Sequence, residues 1–266
     1  MISLPEQTAT RPVSAPPESP ALLRMEGVEY FYRGRIRVLG PVDIEVREGE
    51  FLSFVGPSGC GKSTLLRIAA GLLRPTAGTV RLGDRPLRGV NRRAGVVFQS
   101  FALFPWMTVV DNVAVGLEAR GLGAHERLKR AEKYIGLVGL SGYERAYPRE
   151  LSRGMKQLVG VARALALEPE LLCLDEPFSA LDVLSARNMR GLVLDLRASP
   201  EVTTKTILLV THSIEEAVEM SDRVLVFKAN PGRIAETVDL SALPRPRRAD
   251  LPGVRETVDR MYGLLV

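Results

Sequence analysis

The chain has 266 residues, 45% hydrophobic and 25% charged, the make-up of a soluble globular protein with room for one large α/β domain or two small ones. No apolar run approaches the roughly 18 residues of a membrane span, and the opening MISLPEQTATRPVSAPPESPA lacks the apolar region of a secretory signal. The net charge is +5, but the arginines are scattered (Arg33, Arg35, Arg37; Arg92, Arg93; Arg245, Arg247, Arg248), which argues against a nucleic-acid footprint, and Cys60 and Cys173 make no disulfide framework.

Residues 1–22 are Pro-rich and aperiodic and read as a disordered tail. Residues 26–55 read as strands: Val42, Ile44 and Val46 alternate with polar residues, and EFLSFV has the look of a buried strand. A Gly-rich turn leads to a helix predicted over 63–71, and AGVVFQ (94–99) is strand-like. From Pro105 to Arg149 the text changes to helical periods with Gly breaks, a separate helical insertion. Ser152 opens the next helix, with Leu158, Val161, Ala162 and Leu165 on its apolar face. LLCLDE and KTILLVTH read as fully buried strands. SIEEAVEM opens with Ser213 and Glu216 at capping-box spacing. RVLVF and RIAETV flank KANPG, a hairpin turn. Near the end, Val254, Val258, Met261 and Leu265 share one face of a helix predicted to dock. Strands alternating with helices predict an α/β fold with a mostly parallel sheet.

GPSGCGKST carries the first chemistry. Gly56 to Ser63 matches G-x-x-x-x-G-K-[ST], with Thr64 following, between a strand and a helix. Gly56, Gly59 and Gly61, with Pro57, Ser58 and Cys60 between them, let backbone N–H groups close around phosphate oxygens. Lys62 supplies a cation to the β- and γ-phosphates, and the Ser63 hydroxyl can ligate Mg2+. Cys60 admits two readings: a small residue tolerated by the turn, or a thiol whose pKa Lys62 and the helix N-terminus lower. Asp175 and Glu176 lie where a buried strand runs out. They are either two acids at a solvated strand end or a pair in which Asp175 holds Mg2+ and Glu176 polarises a water. His212 follows LLLVT at the same sheet edge. His125, in GAHERLKR, reads as solvated helix surface. Arg153 sits at the mouth of the helix opened by Ser152, where the dipole disfavours a cation by roughly 0.3–1 kcal/mol. Its φ should be negative at the first helical position. Ser152 should cap the helix and leave the N–H groups of Gly154 and Met155 for an anion.

Taken in order over residues 25–238, these motifs resemble those of ATP-binding cassette (ABC) ATPases. The resemblance implies a P-loop NTPase (RecA-like) α/β core with an antiparallel β part and a helical lobe over about 105–160. It implies a domain over 23–240, followed at 241–266 by a Pro-rich segment and the docked helix. ATP and Mg2+ become the implied cofactors. Gln99 stands as the Q-loop glutamine, touching both nucleotide and metal. LSRGM stands as the signature, its Ser152, Gly154 and Met155 facing the γ-phosphate held by a second copy. Asp175 and Glu176 stand as Walker B and the catalytic glutamate, SALD (179–182) as the D-loop and His212 as the switch histidine. Lys62, Gln99, Glu176 and His212 form the implied catalytic set. Tyr32 falls where the family has its adenine-stacking aromatic, with Tyr30 and Phe31 as alternative registers.

SFALFPWMTVVDNV, DEPFSALDVLSA, VTHSIEEAVEMSDRVLVF and NPGRI resemble the nitrate/sulfonate/taurine/bicarbonate importer branch. That resemblance implies uptake of a small anionic solute and a homodimer at the cytoplasmic face of a bacterial inner membrane. It also implies separate transmembrane permease subunits, a periplasmic or lipid-anchored substrate-binding protein, and no nucleic acid. One rival is a soluble cassette ATPase acting on DNA or ribosomes. The single cassette and the 96 positions between Gly56 and Ser152 oppose it. The other is an ATP-binding regulator with low turnover, suggested by Arg153 and opposed by the intact Glu176 and His212.

Overall fold

The computed structural model describes residues 19–248 and 251–265. The first part of the chain forms β1 (Ala21–Tyr32), β2 (Ile36–Arg47), β3 (Phe51–Val55), α1 (Lys62–Ala69), β4 (Ala77–Leu82), β5 (Arg85–Pro86) and β6 (Ala94–Val97). Three helices follow, α2 (Val109–Ala119), α3 (Ala124–Leu137) and α4 (Arg153–Ala166). The remainder alternates: β7 (Leu171–Asp175), α5 (Val183–Ala198), β8 (Thr206–Thr211), α6 (Ile214–Met220), β9 (Arg223–Lys228), β10 (Arg233–Asp239) and α7 (Pro252–Leu265).

β3, β7 and β8 bury every residue, as strands of a parallel sheet covered on both faces must. They belong to a six-stranded sheet ordered β10-β9-β3-β8-β7-β6, parallel except where β10 returns against β9. The KANPG turn makes that return. A second, antiparallel sheet is ordered β2-β1-β4-β5. The period of two along β7 sorts its side chains. Leu171 and Cys173 join the core shared with α1 and the antiparallel sheet, while Leu172 and Leu174 join the core built on α2 to α5. A third cluster joins α6, α7, β9 and the end of β10.

The boundaries differ from expectation in places. β1 begins at Ala21 and buries Leu22, so an ordered strand takes the last two residues of the predicted tail. Residues 1–18 lie outside the described residues. α1 begins one residue early, at Lys62. Ser213 caps α6 by accepting from the Glu216 N–H, but the reciprocal half of the capping box is missing. The Glu216 carboxylate instead accepts from the Thr211 hydroxyl, and the Ser213 N–H donates to that same hydroxyl. α7 packs through Val254, Val258 and Met261, with Leu265 partly buried. No helix among the described residues is long and apolar enough to cross a membrane.

This topology positions the chemistry. β3, β8, β7 and β6 are parallel neighbours, so their carboxyl ends share one edge of the sheet. The loops that leave that edge carry, in spatial order, GPSGCGKST, His212, Glu176 and Gln99. Ligand sites of open α/β sheets lie at this edge.

Candidate active site

The loop after β3 is shaped by glycines that nothing else can replace. Gly61 has φ +92 and a Cβ there would lie 2.5 Å from Leu39 Cδ2. Gly56 has φ +156 and a Cβ there would lie 2.5 Å from the Phe227 carbonyl oxygen. Left-handed backbone and close approach both demand the missing side chain. Pro57, Ser58 and Gly59 form the exposed lip, while Gly56, Cys60, Gly61 and Lys62 are buried. The Lys62 ammonium folds back on the loop and donates to the carbonyls of Gly56 (2.8 Å) and Pro57 (3.0 Å). It therefore stands at the centre of the cradle. Ser63 and Thr64 follow on the first turn of α1, half-buried.

Ser63 Oγ donates to Asp175 Oδ1 at 2.6 Å, joining the loop to the end of β7. Arg67, one turn along α1, reaches Asp175 Oδ2 at 3.4 Å. Two hard oxygen ligands a hydrogen bond apart suit Mg2+, which keeps several waters and takes few protein ligands. Glu176 follows at φ +46, a left-handed conformation that costs a non-glycine residue about 1–3 kcal/mol and marks functional sites. This turn bends the chain out of the strand direction of Asp175. The Glu176 N–H still bonds the Val210 carbonyl at 2.9 Å. Glu176 Oε2 lies 3.3 Å from Gln99 Nε2 and 3.5 Å from His212 Nδ1. Gln99 and His212, from two other strand ends, thus meet at the Glu176 carboxylate.

The signature residues lie elsewhere. Ser152 caps α4, and Arg153 takes the first helical position, exposed and with ordinary negative φ as predicted. The cap accepts the Met155 N–H at 3.2 Å, so only Gly154 of the two predicted donors keeps its N–H for an anion. Gly154 lies beside α5, 3.8 Å from Ser185 Oγ at its would-be Cβ. Among the described residues, no hydrogen bond or ion pair joins 152–155 to 56–64. The chain does not bring its own signature onto its own phosphate loop.

Tyr30 packs against the core while Tyr32 is exposed, which favours Tyr32 among the three registers. Arg33 lies over its ring at 5.4 Å. The second reading of Cys60 is corrected: burial pushes its thiol up, and nearby Lys62 only partly offsets this. Several site contacts escape sequence reasoning. Ser179 is marked only as part of the SALD motif, which does not signal its contact with Gln99, Oγ to Nε2 at 3.2 Å. Arg163 of α4 donates to the carbonyls of Phe101 (3.0 Å) and Ala102 (2.6 Å), two residues held at φ +61 and +47 just beyond Gln99. Arg67 alone had a local signal, sitting four residues after Ser63 on one helix face.

Comparison with known proteins agrees with this geometry. The family model described as ABC transporter matches residues 39–179. An ABC transporter ATP-binding protein of Methanocaldococcus jannaschii is 48% identical over 217 residues, 82% of this chain and 80% of its own. The nitrate import ATP-binding protein NrtD of Synechocystis is 42% identical over 85% of this chain and 80% of its own. The taurine import ATP-binding protein TauB of Yersinia pestis is 41% identical over 83% of this chain and 85% of its own. Among solved structures, a dimeric bacterial ABC transporter cassette superposes with a TM-score of 0.72 and 32% identity, and a dimeric cassette in a post-hydrolysis state with ADP and Pi with a TM-score of 0.71 and 31% identity, each over 82% of this chain and 98% of that one. With the phosphate loop, the paired acids and the signature helix all in place on this fold, the chain belongs to the ABC transporter family as an ATP-binding, ATP-hydrolysing subunit.

Proposed function

We propose that this chain energises uptake of a small anionic solute as one half of a homodimeric ATPase bound to separate permease subunits. The observation that carries the nucleotide chemistry is the convergence of Gln99 and His212 on Glu176, beside the Ser63–Asp175 pair. The importer reading rests on relatives whose names give nitrate and taurine import.

Gly56 to Thr64 would cradle the phosphates, Lys62 exchanging its carbonyl partners for phosphate oxygens, while Tyr32 stacks on the adenine. Ser63, Asp175 and Gln99 would hold Mg2+, which neutralises charge building on the β- and γ-phosphates. Glu176 accepts the proton of the attacking water, with His212 and Gln99 fixing its carboxylate. The separation of the signature from the phosphate loop within one chain supports a shared site. Gly154 of each copy, its N–H free and flanked by Ser152 and Met155, would close on the γ-phosphate held by the other, giving two equivalent sites about a two-fold axis. Phe104 and Trp106 pack together beyond Gln99, with Trp106 70% exposed, and offer an apolar surface for a permease segment. The complex would sit at the cytoplasmic face of the membrane and receive solute from a substrate-binding protein outside.

Glu176→Gln tests this reading. The amide keeps the shape and is a poor base, so MgATP should still bind and promote dimers on size exclusion. Phosphate release should fall roughly 100-fold or more. Turnover at the wild-type rate would remove Glu176 from the chemistry.

A further inference from the structure

α6 is seven residues long and begins two positions after His212. A helix this short has little stability of its own, so its position depends on what grips it. Both of its ends are gripped by the carboxy-terminal segment, which lies outside the 39–179 stretch that the family model matches.

At the amino end, the Tyr262 hydroxyl of α7 donates to Glu215 Oε1 at 2.7 Å. The other oxygen of Glu215 accepts from Ser213 Oγ at 2.9 Å. Ser213 is the cap of α6, accepting the Glu216 N–H at 3.1 Å, and is covalently next to His212. A continuous line of hydrogen bonds therefore runs from α7 to the neighbour of the histidine that faces Glu176. At the carboxyl end, the last carbonyls of a helix have no partners within it. Here Arg245 donates to the Met220 carbonyl at 2.9 Å, and Arg247 donates to those of Val218 and Ser221. Arg247 also reaches the carbonyls of Leu240 and Leu243 and is buried. Two cations at a helix carboxyl end are favoured by its dipole. Between the two grips, Val254, Val258 and Met261 of α7 pack in one cluster with Ile214, Ala217 and Val218 of α6.

We propose that Tyr262, Arg245 and Arg247 form a carboxy-terminal clamp that positions His212 against Glu176 through α6. These are positioning residues, since none of them touches the phosphate loop. The proposal rests on the assignment of His212 to the reacting centre.

The test uses the purified full-length chain. Tyr262→Phe removes one hydroxyl and keeps the ring. The kcat for MgATP should fall roughly three- to tenfold, the scale of one lost hydrogen bond, while KM stays within about twofold because the phosphate loop and Tyr32 lie on other elements. Glu215→Ala should match it, and Glu215→Gln, which keeps an acceptor, should recover most of the rate. The Tyr262→Phe/Glu215→Ala double variant should be no slower than the slower single variant, because both cut one line of bonds. Hydrogen exchange of amides 213–221 should quicken in Tyr262→Phe and in Arg245→Ala, with β3 and α1 unchanged. Wild-type kcat in both Tyr262→Phe and Glu215→Ala would overturn the clamp, as would a rise in KM matching the loss of kcat. Unchanged exchange over 213–221 would also overturn it. A wild-type chain without turnover would count against the reading of the site, and exchange alone would then decide the clamp.

Discussion

Cys60 Sγ lies 3.8 Å from the Lys62 ammonium, close enough for the cation to favour a thiolate. The residue is nevertheless fully buried, and the cost of desolvating an anion exceeds that attraction. Cys173 in β7 is buried as well, and burial, with the Asp175 carboxylate adding to it, pushes its thiol up to about 12. Both groups should therefore stay protonated through neutral pH. Neither should react with a thiol-exchange reagent at about pH 8 in the native chain, and both should react once denatured. Native labelling of Cys60 within about tenfold of the rate for free cysteine would show that the loop opens far more than its packing implies. Which residues could be read in advance follows from how locally each is specified. Lys62 and Ser63 are marked by the glycine-rich motif, Asp175, Glu176 and His212 by the ends of apolar runs, and Gln99 only by the resemblance to the family. Arg163 acts on partners 61 and 62 positions away, and nothing in the neighbouring sequence marks it. Ser179 lies in the SALD motif, but its bond to Gln99, 80 positions away, was not readable. The left-handed turn at Glu176 was equally hidden, because glutamate has no preference for it.

Among the elements, α4 carries the cation that its helix dipole disfavours. Its first turn holds Arg153 at no backbone cost, with the cap bond of Ser152 intact. Replacing the arginine by glycine would remove one unfavourable charge–dipole contact and little else. Arg153→Gly should therefore change ATPase turnover by less than about tenfold, or roughly 1.4 kcal/mol of barrier. Gly154→Asp should abolish turnover yet fold normally, since a Cβ there meets nothing closer than 3.8 Å. The loss would come from a carboxylate set against phosphate. A thousandfold gain in Arg153→Gly from a near-silent wild type would instead favour the ATP-binding regulator. Element type was readable wherever burial is two-sided or strongly periodic, as in β3, β7, β8 and α7. It was not readable for β4 and β5, short antiparallel pieces with several exposed positions. α5 was also missed: its buried stripe of Ala186, Met189, Val193 and Leu196 is narrow and interrupted by polar residues.

For the whole molecule, Asp222 is the knot. It accepts from the Phe51 N–H of β3 (2.9 Å), from Arg197 of α5 (2.6 Å) and from Arg245 of the carboxy-terminal segment (2.9 Å). Asp222→Ala would leave Arg197, only 3% exposed, without its carboxylate. Breaking a buried pair in this way typically costs about 3–5 kcal/mol. A urea midpoint shifted by less than about 1 kcal/mol equivalent would mean that the carbonyls of Gly49 and Lys205, which Arg197 also reaches, suffice for it. No such tie could be read from sequence, since its members come from three separate regions of the chain.

The strand order has a mechanical corollary. β3, which carries the phosphate loop, is laced by hydrogen bonds to β8 on one side and β9 on the other. β6, which leads to Gln99, is the last strand of its sheet and is laced to β7 alone. Stiffness therefore grades across the sheet, from an anchored ledge under the phosphates to a compliant margin beside the exposed Trp106. Amides of β3 should outlast those of β6 in hydrogen exchange. A push delivered at Trp106 would be taken up at that compliant margin, so it could swing Gln99 toward or away from Glu176 while the phosphate ledge stays still.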